Sequence, residues 1–556
     1  MTRLLAIAVL LAPCWPQAGA QAPVPRPVIL KAGSSAWTIS GVVLSAGGAP
    51  LDRASVTLSR ADAEDTQIAQ TTTGESGAFR FSNLPAGKYR LDASRRGYIA
   101  SAYQEHAGGY FTGVVTGPGL DTQELQLHLL PEAVIGGTIT DDSGEPVGGA
   151  QVTLYRDDRH TGQHKVVRST MAVTDDTGAY EFARLKPATY YVAVSASPWY
   201  AVHPQLPPGG PGGASSPGAQ SPLDVAYPLT FYANATDSDS ATPIPLSAGD
   251  HQQINISLHA VPAVHVRVRL PVPDNPGRGF TIPQLSREVF GTQEFVPLGG
   301  LSTVGSSGSM VADLGGVAPG KYVLRQIGSG SDQADVSIDV TGNQTLEDPS
   351  TSPAGVDLTG KVEMANGSPL PEHTTLTLVS VSAGRNLGRL SSVAADGTFS
   401  LPAVPPGVWD VRVEASEPPL AVWQMAASGA EANGSRLTIG NDPVLLAATL
   451  VSGSATVSGY VRRNGTGFGG ALVLLVPTDP KSSQDLYRVD QSNSDGSFQL
   501  SRVFPGNYTL VAIDGGWGLD WASRDVLAPW LAHGLNVQVL SHPAVDLPQP
   551  VEVQAR

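Results

Sequence analysis

His160 and His164 stand four apart in RHTGQH (159–164), the spacing at which two imidazoles on one helix face can share a zinc ion. Gly162 lies between them, so the stretch reads as a surface loop, and a zinc site needs further ligands. None of the eleven His residues is followed three positions later by Glu, and H-E-x-x-H does not occur. The run GTGFGG (465–470) fits G-x-G-x-x-G, which cradles a pyrophosphate only where a helix follows it. Here it joins two strand-like stretches, SGYVRR and ALVLLV, and reads as a glycine-rich hairpin. There is no G-x-S-x-G elbow for a nucleophilic serine. The acidic stretches Asp141-Asp142, Asp175-Asp176 and DSDS (237–240) lack the ligand series of a calcium loop and read as solvated turns. The expectation is a chain with no catalytic residue, no metal and no cofactor.

Aromatic side chains offer the remaining chemistry, because a sugar ring stacks on a flat apolar face beside hydrogen-bonding groups. Trp517, Trp521 and Trp530 cluster near the C-terminus, and Trp199-Tyr200 and Phe231-Tyr232 flank a low-complexity stretch. The expected ligand residues are Trp521, Trp517, Trp199 and Tyr200. Trp521 leads, since it sits beside Asp520 and Arg524 and follows GGWG (515–518). The competing expectation is that the three C-terminal tryptophans cap a domain, with DVLAPWLAHG (525–534) as a short helix that turns Leu527, Trp530 and Leu531 inward.

The elements that must carry these residues are written in a repeated phrase. LPAGKYRL (84–91), LKPATYYV (185–192), VAPGKYVL (317–324), VPPGVWDV (404–411) and VFPGNYTL (503–510) are five versions of it. Counting back from its aromatic, Tyr89, Tyr190, Trp409 and Tyr508 each follow a Leu or Val by five, aromatic or Leu residues by eight and ten, and a Gly by twelve. The copy at Tyr322 keeps Val317 and Leu314 but has Ala312 and Met310 at the last two positions, and is degenerate. Gly41, Pro50, Ala54, Val56 and Leu58 recur at the same spacings as Gly137, Pro146, Ala150, Val152 and Leu154. Alternation such as Phe79/Phe81 turns one strand face inward. Asp396-Gly397 and Asp495-Gly496 read as hairpin turns. Pro-Gly, as in Pro505-Gly506, predicts a type II turn with Gly at positive φ.

About seven short strands in roughly 100 residues is the size of an immunoglobulin-like sandwich. The fold expected is all-β, with five tandem immunoglobulin-like or transthyretin-like β-sandwiches at 34–130, 131–258, 259–349, 352–451 and 452–556. A mobile loop is expected at 203–222, where Pro, Gly and Ser dominate. The 62 Gly and 45 Pro among 556 residues fit many turns between short strands.

Residues 1–22, with Arg3, an apolar run from Leu4 to Ala12 and Ala18-Gly19-Ala20, have the layout of a secretory leader. The rival reading is a lipid anchor at Cys14, against which Pro13 stands. Cys14 is the only cysteine, so stability after cleavage must come from packing, and thiol catalysis is excluded. The net charge of −15, without basic clusters, argues against nucleic acid and anionic membranes. No other run approaches a transmembrane helix, which leaves the periplasm or the extracellular space.

The motif G-x(8)-P-x(3)-A-x-V-x-L, then D/S-G-x-F/Y-x-F/L, then L-P-x-G-x-Y resembles the carboxypeptidase regulatory-like domain, over four units well and the third weakly. The resemblance implies a transthyretin-like sandwich related in shape to starch-binding domains, in tandem exported versions similar to those of acidobacteria. It implies no catalytic residue, since the zinc peptidase domain that accompanies the module elsewhere has no counterpart here. The expected function is an exported, non-catalytic binding or scaffold protein of the cell envelope, with a glycan or another envelope protein as partner. A structural stalk or adhesin without a small ligand, and a hydrolase with an unrecognised site, are the alternatives.

Overall fold

The computed structural model describes residues 36–61, 66–203, 221–271, 282–306, 309–327, 336–346, 355–381, 388–540 and 544–556. Residues 1–22, expected as a leader and including Cys14, and most of the 203–222 stretch lie outside the described residues. The chain is almost entirely β, and its strands form five successive pairs of sheets with a separate core in each pair.

The first pair sets the plan. Trp37–Ser45 is the centre of one sheet, antiparallel to Ala78–Leu84 and parallel to Leu125–Leu129. In the facing sheet Ser55–Arg60 lies between Gln67–Thr72 and Gly87–Ser94. The same first strand between an antiparallel and a parallel partner recurs with Ala133–Thr140, Val264–Pro271, Val356–Met364 and Ala455–Arg463. The parallel partner comes very close. A Cβ on Gly41 would lie 2.0 Å from the Leu125 carbonyl oxygen, and one on Gly137 1.9 Å from that of Ile254, so only glycine admits the pairing.

The aromatic of the repeated phrase is buried in every copy, from Tyr89 at 0% exposed to Trp409 at 7%. Each also returns to the backbone four residues upstream. Tyr89 donates to Pro85 (2.7 Å), Tyr190 to Lys186 (2.7 Å), Tyr322 to Ala318 (2.6 Å) and Tyr508 to Phe504 (2.8 Å). Trp409 uses its indole N–H to reach Pro405 at 3.1 Å. The phrase is a tyrosine corner, and Trp is tolerated because it carries a donor on an equally bulky ring.

The type II turn expected at Pro-Gly is not formed. Gly320 and Gly407 have φ of 159° and 149°, nearly extended, and the glycine begins the next strand. The left-handed residue lies four positions earlier: Asn83, Arg184, Gly316, Ala403 and Arg502, with φ between 55° and 73°. At this point the strand register slips by one residue against the central strand, as between the pairs Ile39↔Phe81 and Trp37↔Leu84. The chain turns the corner through a β-bulge, and the Pro-Gly step continues it.

The fifth sandwich departs from the plan. Leu472–Pro477 is buried along both faces, because Leu472, Leu474 and Val476 meet Val511, Ile513, Trp521, Ala522 and Leu527 in a second cluster outside the sandwich. The helix Arg524–Leu531 forms as expected, with Leu527 fully buried and Trp530 and Leu531 packed beside it. Among the described residues no helix is long and apolar enough to cross a membrane.

Candidate functional site

Trp517 sits in the turn between the core strand Gly506–Asp514 of the fifth sandwich and the helix. Its indole N–H donates to the Gly470 carbonyl at 3.2 Å. His106 of the first sandwich stacks on the ring at 5.0 Å with planes 12° apart, and Tyr110 packs at 4.9 Å. Both come from YQEHAGGYFTG (103–113), the excursion that follows the core strands of the first unit. His106 Nδ1 donates to Gln491 Oε1 at 2.9 Å, and Gln491 Nε2 donates to the Gln104 carbonyl and to Thr112 Oγ1, both at 2.8 Å. Gln491 is 2% exposed, so a saturated buried amide ties the first sandwich to the fifth. Burial holds the His106 imidazole below the usual histidine range, which favours the neutral ring that stacks here.

The second sandwich joins the same place through RHTGQH. The Ala522 N–H donates to the Gly162 carbonyl at 2.9 Å, and Arg159 Nη1 donates to the Gly518 carbonyl at 3.0 Å. A Cβ on Gly162 would fall 2.2 Å from Trp521 Cδ2, so the glycine lies flat on the indole. His160 pairs with Asp158, and His164 Nε2 lies 2.5 Å from Asp157 Oδ1. The stretch that resembled half a zinc site is a docking loop. Among the described residues no three His, Cys, Asp or Glu are grouped to hold a metal.

Three sandwiches thus meet around a cleft of about 820 Å³. Trp517, Glu105, His106 and His128 line it from the fifth and first sandwiches, and Arg156 and Lys186 from the second. Two of its cations are paired within the wall, Lys186 Nζ to Glu105 Oε1 at 3.3 Å and Arg156 Nη2 to Asp158 Oδ1 at 3.2 Å, and Arg159 pairs with Asp520 behind it at 3.6 Å. Donors and acceptors beside an aromatic edge suit a neutral polyhydroxylated ligand better than a polyanion.

The aromatic residues expected to bind a ligand are thereby divided. Trp517 lines the cleft. Trp521 is 8% exposed under Gly162 and offers no free face. Trp530 is half-buried, donating to the Ala555 carbonyl at 3.0 Å. Trp199 is 84% exposed and lies perpendicular to the half-buried Tyr200 at 5.8 Å, outside the cleft. Phe231 is buried against Tyr155 and Phe290. Gln491, His106, Tyr110 and Gly162 carry the junction and were not among the residues singled out for binding. His106, Tyr110 and Gly162 carry one sequence signal, position in stretches that depart from the repeat, whereas Gln491 ends a regular repeat strand paired with Leu472–Pro477 and carries none.

No curated protein matches the chain. Among solved structures, the Bacillus anthracis TIE protein is 8% identical, with 76% of this chain and 75% of that one covered and a TM-score of 0.17. A streptococcal ancillary pilin is 12% identical over 56% and 98% of the two chains, with a TM-score of 0.20. BcpA, the major pilin subunit of Bacillus cereus, is 8% identical over 93% and 99%, with a TM-score of 0.14. At such scores the likenesses carry no argument about function. Residues 38–125 and 134–211 match the model of the carboxypeptidase regulatory-like domain, so the first two sandwiches are similar to that module, a β-sandwich that fits a non-catalytic scaffold or binding role.

Proposed function

We propose that the chain is an exported, non-catalytic binding protein that holds a glycan in the cleft between its first, second and fifth sandwiches. The observation that carries this reading is Trp517: an indole at the edge of a polar cleft, stacked with His106 and braced by Tyr110, whose cleft-lining part supplies the aromatic surface that a sugar ring would use. The leader-like N-terminus supports export. The Gln491 clasp between the first and fifth sandwiches speaks against an extended stalk, which would keep its ends apart.

A glycan array probed with the full chain, followed by titration calorimetry on the best ligand, tests the proposal. Trp517→Ala and Arg156→Ala are each expected to weaken binding at least tenfold, the equivalent of roughly 1.4 kcal/mol, while Trp199→Ala leaves it unchanged. A folded chain that binds no glycan overturns the reading and leaves the scaffold role. Binding lost only in Trp199→Ala moves the site to the exposed Trp199-Tyr200 pair.

A further inference from the structure

The second and third sandwiches meet through a buried row of ionisable groups that the ligand cleft does not use. Asp224 precedes Val225–Ala226, which pairs with Val261–Pro262 immediately before the first strand of the third sandwich. The Ala263 N–H donates to the Asp224 carbonyl at 2.9 Å. His265, on that first strand, places Nε2 3.1 Å from Asp224 Oδ2 and Nδ1 3.0 Å from Asp313 Oδ1. The backbone N–H of His265 donates to Asn343 Oδ1 at 2.8 Å. The side chains of His265, Asp224 and Asp313 are 7%, 2% and 2% exposed. These two carboxylates are the charged groups that face His265. On their far sides His203 Nδ1 lies 2.9 Å from Asp224 Oδ1, and Arg267 Nε 3.6 Å from Asp313 Oδ2.

An ionised carboxylate only accepts hydrogen bonds, and a neutral imidazole has one N–H. Two carboxylates, one on each ring nitrogen, therefore call for two ring protons. We propose that His265 is a doubly protonated histidine that clamps the second and third sandwiches together through Asp224 and Asp313, and that its deprotonation releases them. Losing the proton sets a ring lone pair against a carboxylate and leaves two buried anions without the cation between them. A buried ion pair broken on one side is strongly destabilising. The apolar contact at this point is too small to compensate, consisting of Ala226, Ala263 and Ala318 with Val261.

The hydrogen bond to Asp313 raises the His265 pKa above its ordinary 6.5, against burial, which lowers it. A folded-state pKa raised in this way gives stability that is complete below the unfolded value of about 6.5 and is lost as pH rises through the folded value. The second contact between these sandwiches behaves differently. The Tyr155 hydroxyl donates to Glu294 Oε2 at 2.6 Å beside Phe290, and burial and the Glu294 charge push its pKa far up. It therefore keeps its proton throughout the window in which His265 titrates, and with the apolar cluster of Tyr155, Ala193, Phe231 and Val289 it would remain as the hinge when the clamp opens.

Two measurements on the full chain test the clamp. In ¹⁵N histidine spectra, with His265→Gln giving the assignment, both ring nitrogens of His265 are expected to be protonated at about pH 7, with a midpoint above the free-histidine value of roughly 6.5. In Asp224→Asn the midpoint is expected to fall by about one unit, a tenfold change in proton affinity. A neutral ring at about pH 7, or a midpoint unmoved by Asp224→Asn, overturns the proposal. Spin labels at the exposed positions Val173 and Leu301 are expected to give a narrow distance distribution at about pH 6 and a broad one at about pH 9. His265→Gln should be broad at both. A distribution that ignores pH, or one that stays narrow in His265→Gln, overturns release.

Discussion

The Tyr508 hydroxyl donates to the Phe504 carbonyl 2.8 Å away, across a corner whose left-handed residue is Arg502. The bond closes the bulge between two core strands, and the ring fills the core with Phe498 and Leu500. On its other side Trp423 of the fourth sandwich meets the ring edge-on at 5.8 Å. One side chain thus holds a corner, a core and a junction.

Two substitutions separate these roles. Tyr508→Phe keeps the ring and leaves the Phe504 carbonyl unpaired, which is expected to cost about 1–2 kcal/mol. Tyr508→Ala empties the core as well and is expected to cost about 3–5 kcal/mol. Calorimetry, which resolves separate transitions in a multidomain chain, should show the loss in the fifth sandwich. Equal losses for the two variants would mean that the ring contributes nothing beyond its hydroxyl.

The bulge predicts a gain. Ala403 has φ 55°, where a side chain costs about 1–2 kcal/mol and glycine costs nothing sterically. After the greater entropy that glycine loses on folding, Ala403→Gly is expected to stabilise the fourth sandwich by about 0.5–1 kcal/mol. The third sandwich already has Gly316 there. An unchanged or lower melting temperature would show that the strain is relieved elsewhere.

Why some of this was legible and some not follows from what repeats. The buried aromatic and the glycines of close approach recur because each position admits few residue types. The bulge recurs as Asn83, Arg184, Gly316, Ala403 and Arg502, four residue types in five copies, since a single left-handed residue on the surface tolerates any of them at modest cost. It was therefore hidden, and Pro-Gly drew the turn to the wrong place. The cleft was half visible. Trp517 stood out because it lies outside the repeat, but Gln491 and Gly162 act through partners remote in sequence, and no local pattern announces a contact between sandwiches.

Acid should loosen the hairpins in a defined way. Asp396 Oδ1 accepts from the Thr398 N–H at 3.0 Å and its hydroxyl at 2.7 Å, and Asp175 Oδ1 from Thr177 and Ala179. The threonine hydroxyls above all hold both carboxyls below the ordinary 3.8. Depressed values mean that this stability is present above the unfolded pKa of about 3.9 and is lost as pH falls through the folded one. Asp396→Asn keeps the acceptor without the titration, so its unfolding midpoint should depend less on pH below about 4 than that of the parent. An identical acid profile would rule out the carboxylate as the group responsible.

Trp521 is the sharpest test of the C-terminal segment, because its expected role as a ligand residue and its position disagree. The indole is 8% exposed, buried in one apolar cluster with Leu472, Leu474 and Ile513 beneath Gly162. Trp521→Ala should therefore lower the melting temperature of the fifth sandwich, at a cost of about 3–5 kcal/mol. Gly162→Ala acts from the other side. Its φ of 72° disfavours a side chain, and the added methyl would fall inside the indole. It should free the 159–164 loop from the fifth sandwich while the Tyr508 core stays intact, so limited proteolysis should cut that loop faster although the fifth transition is unchanged. If Trp521→Ala instead kept its melting temperature and lost glycan affinity, the indole would be a binding face reached by opening the junction, and Gly162→Ala, which opens it permanently, would then bind more tightly than the parent chain.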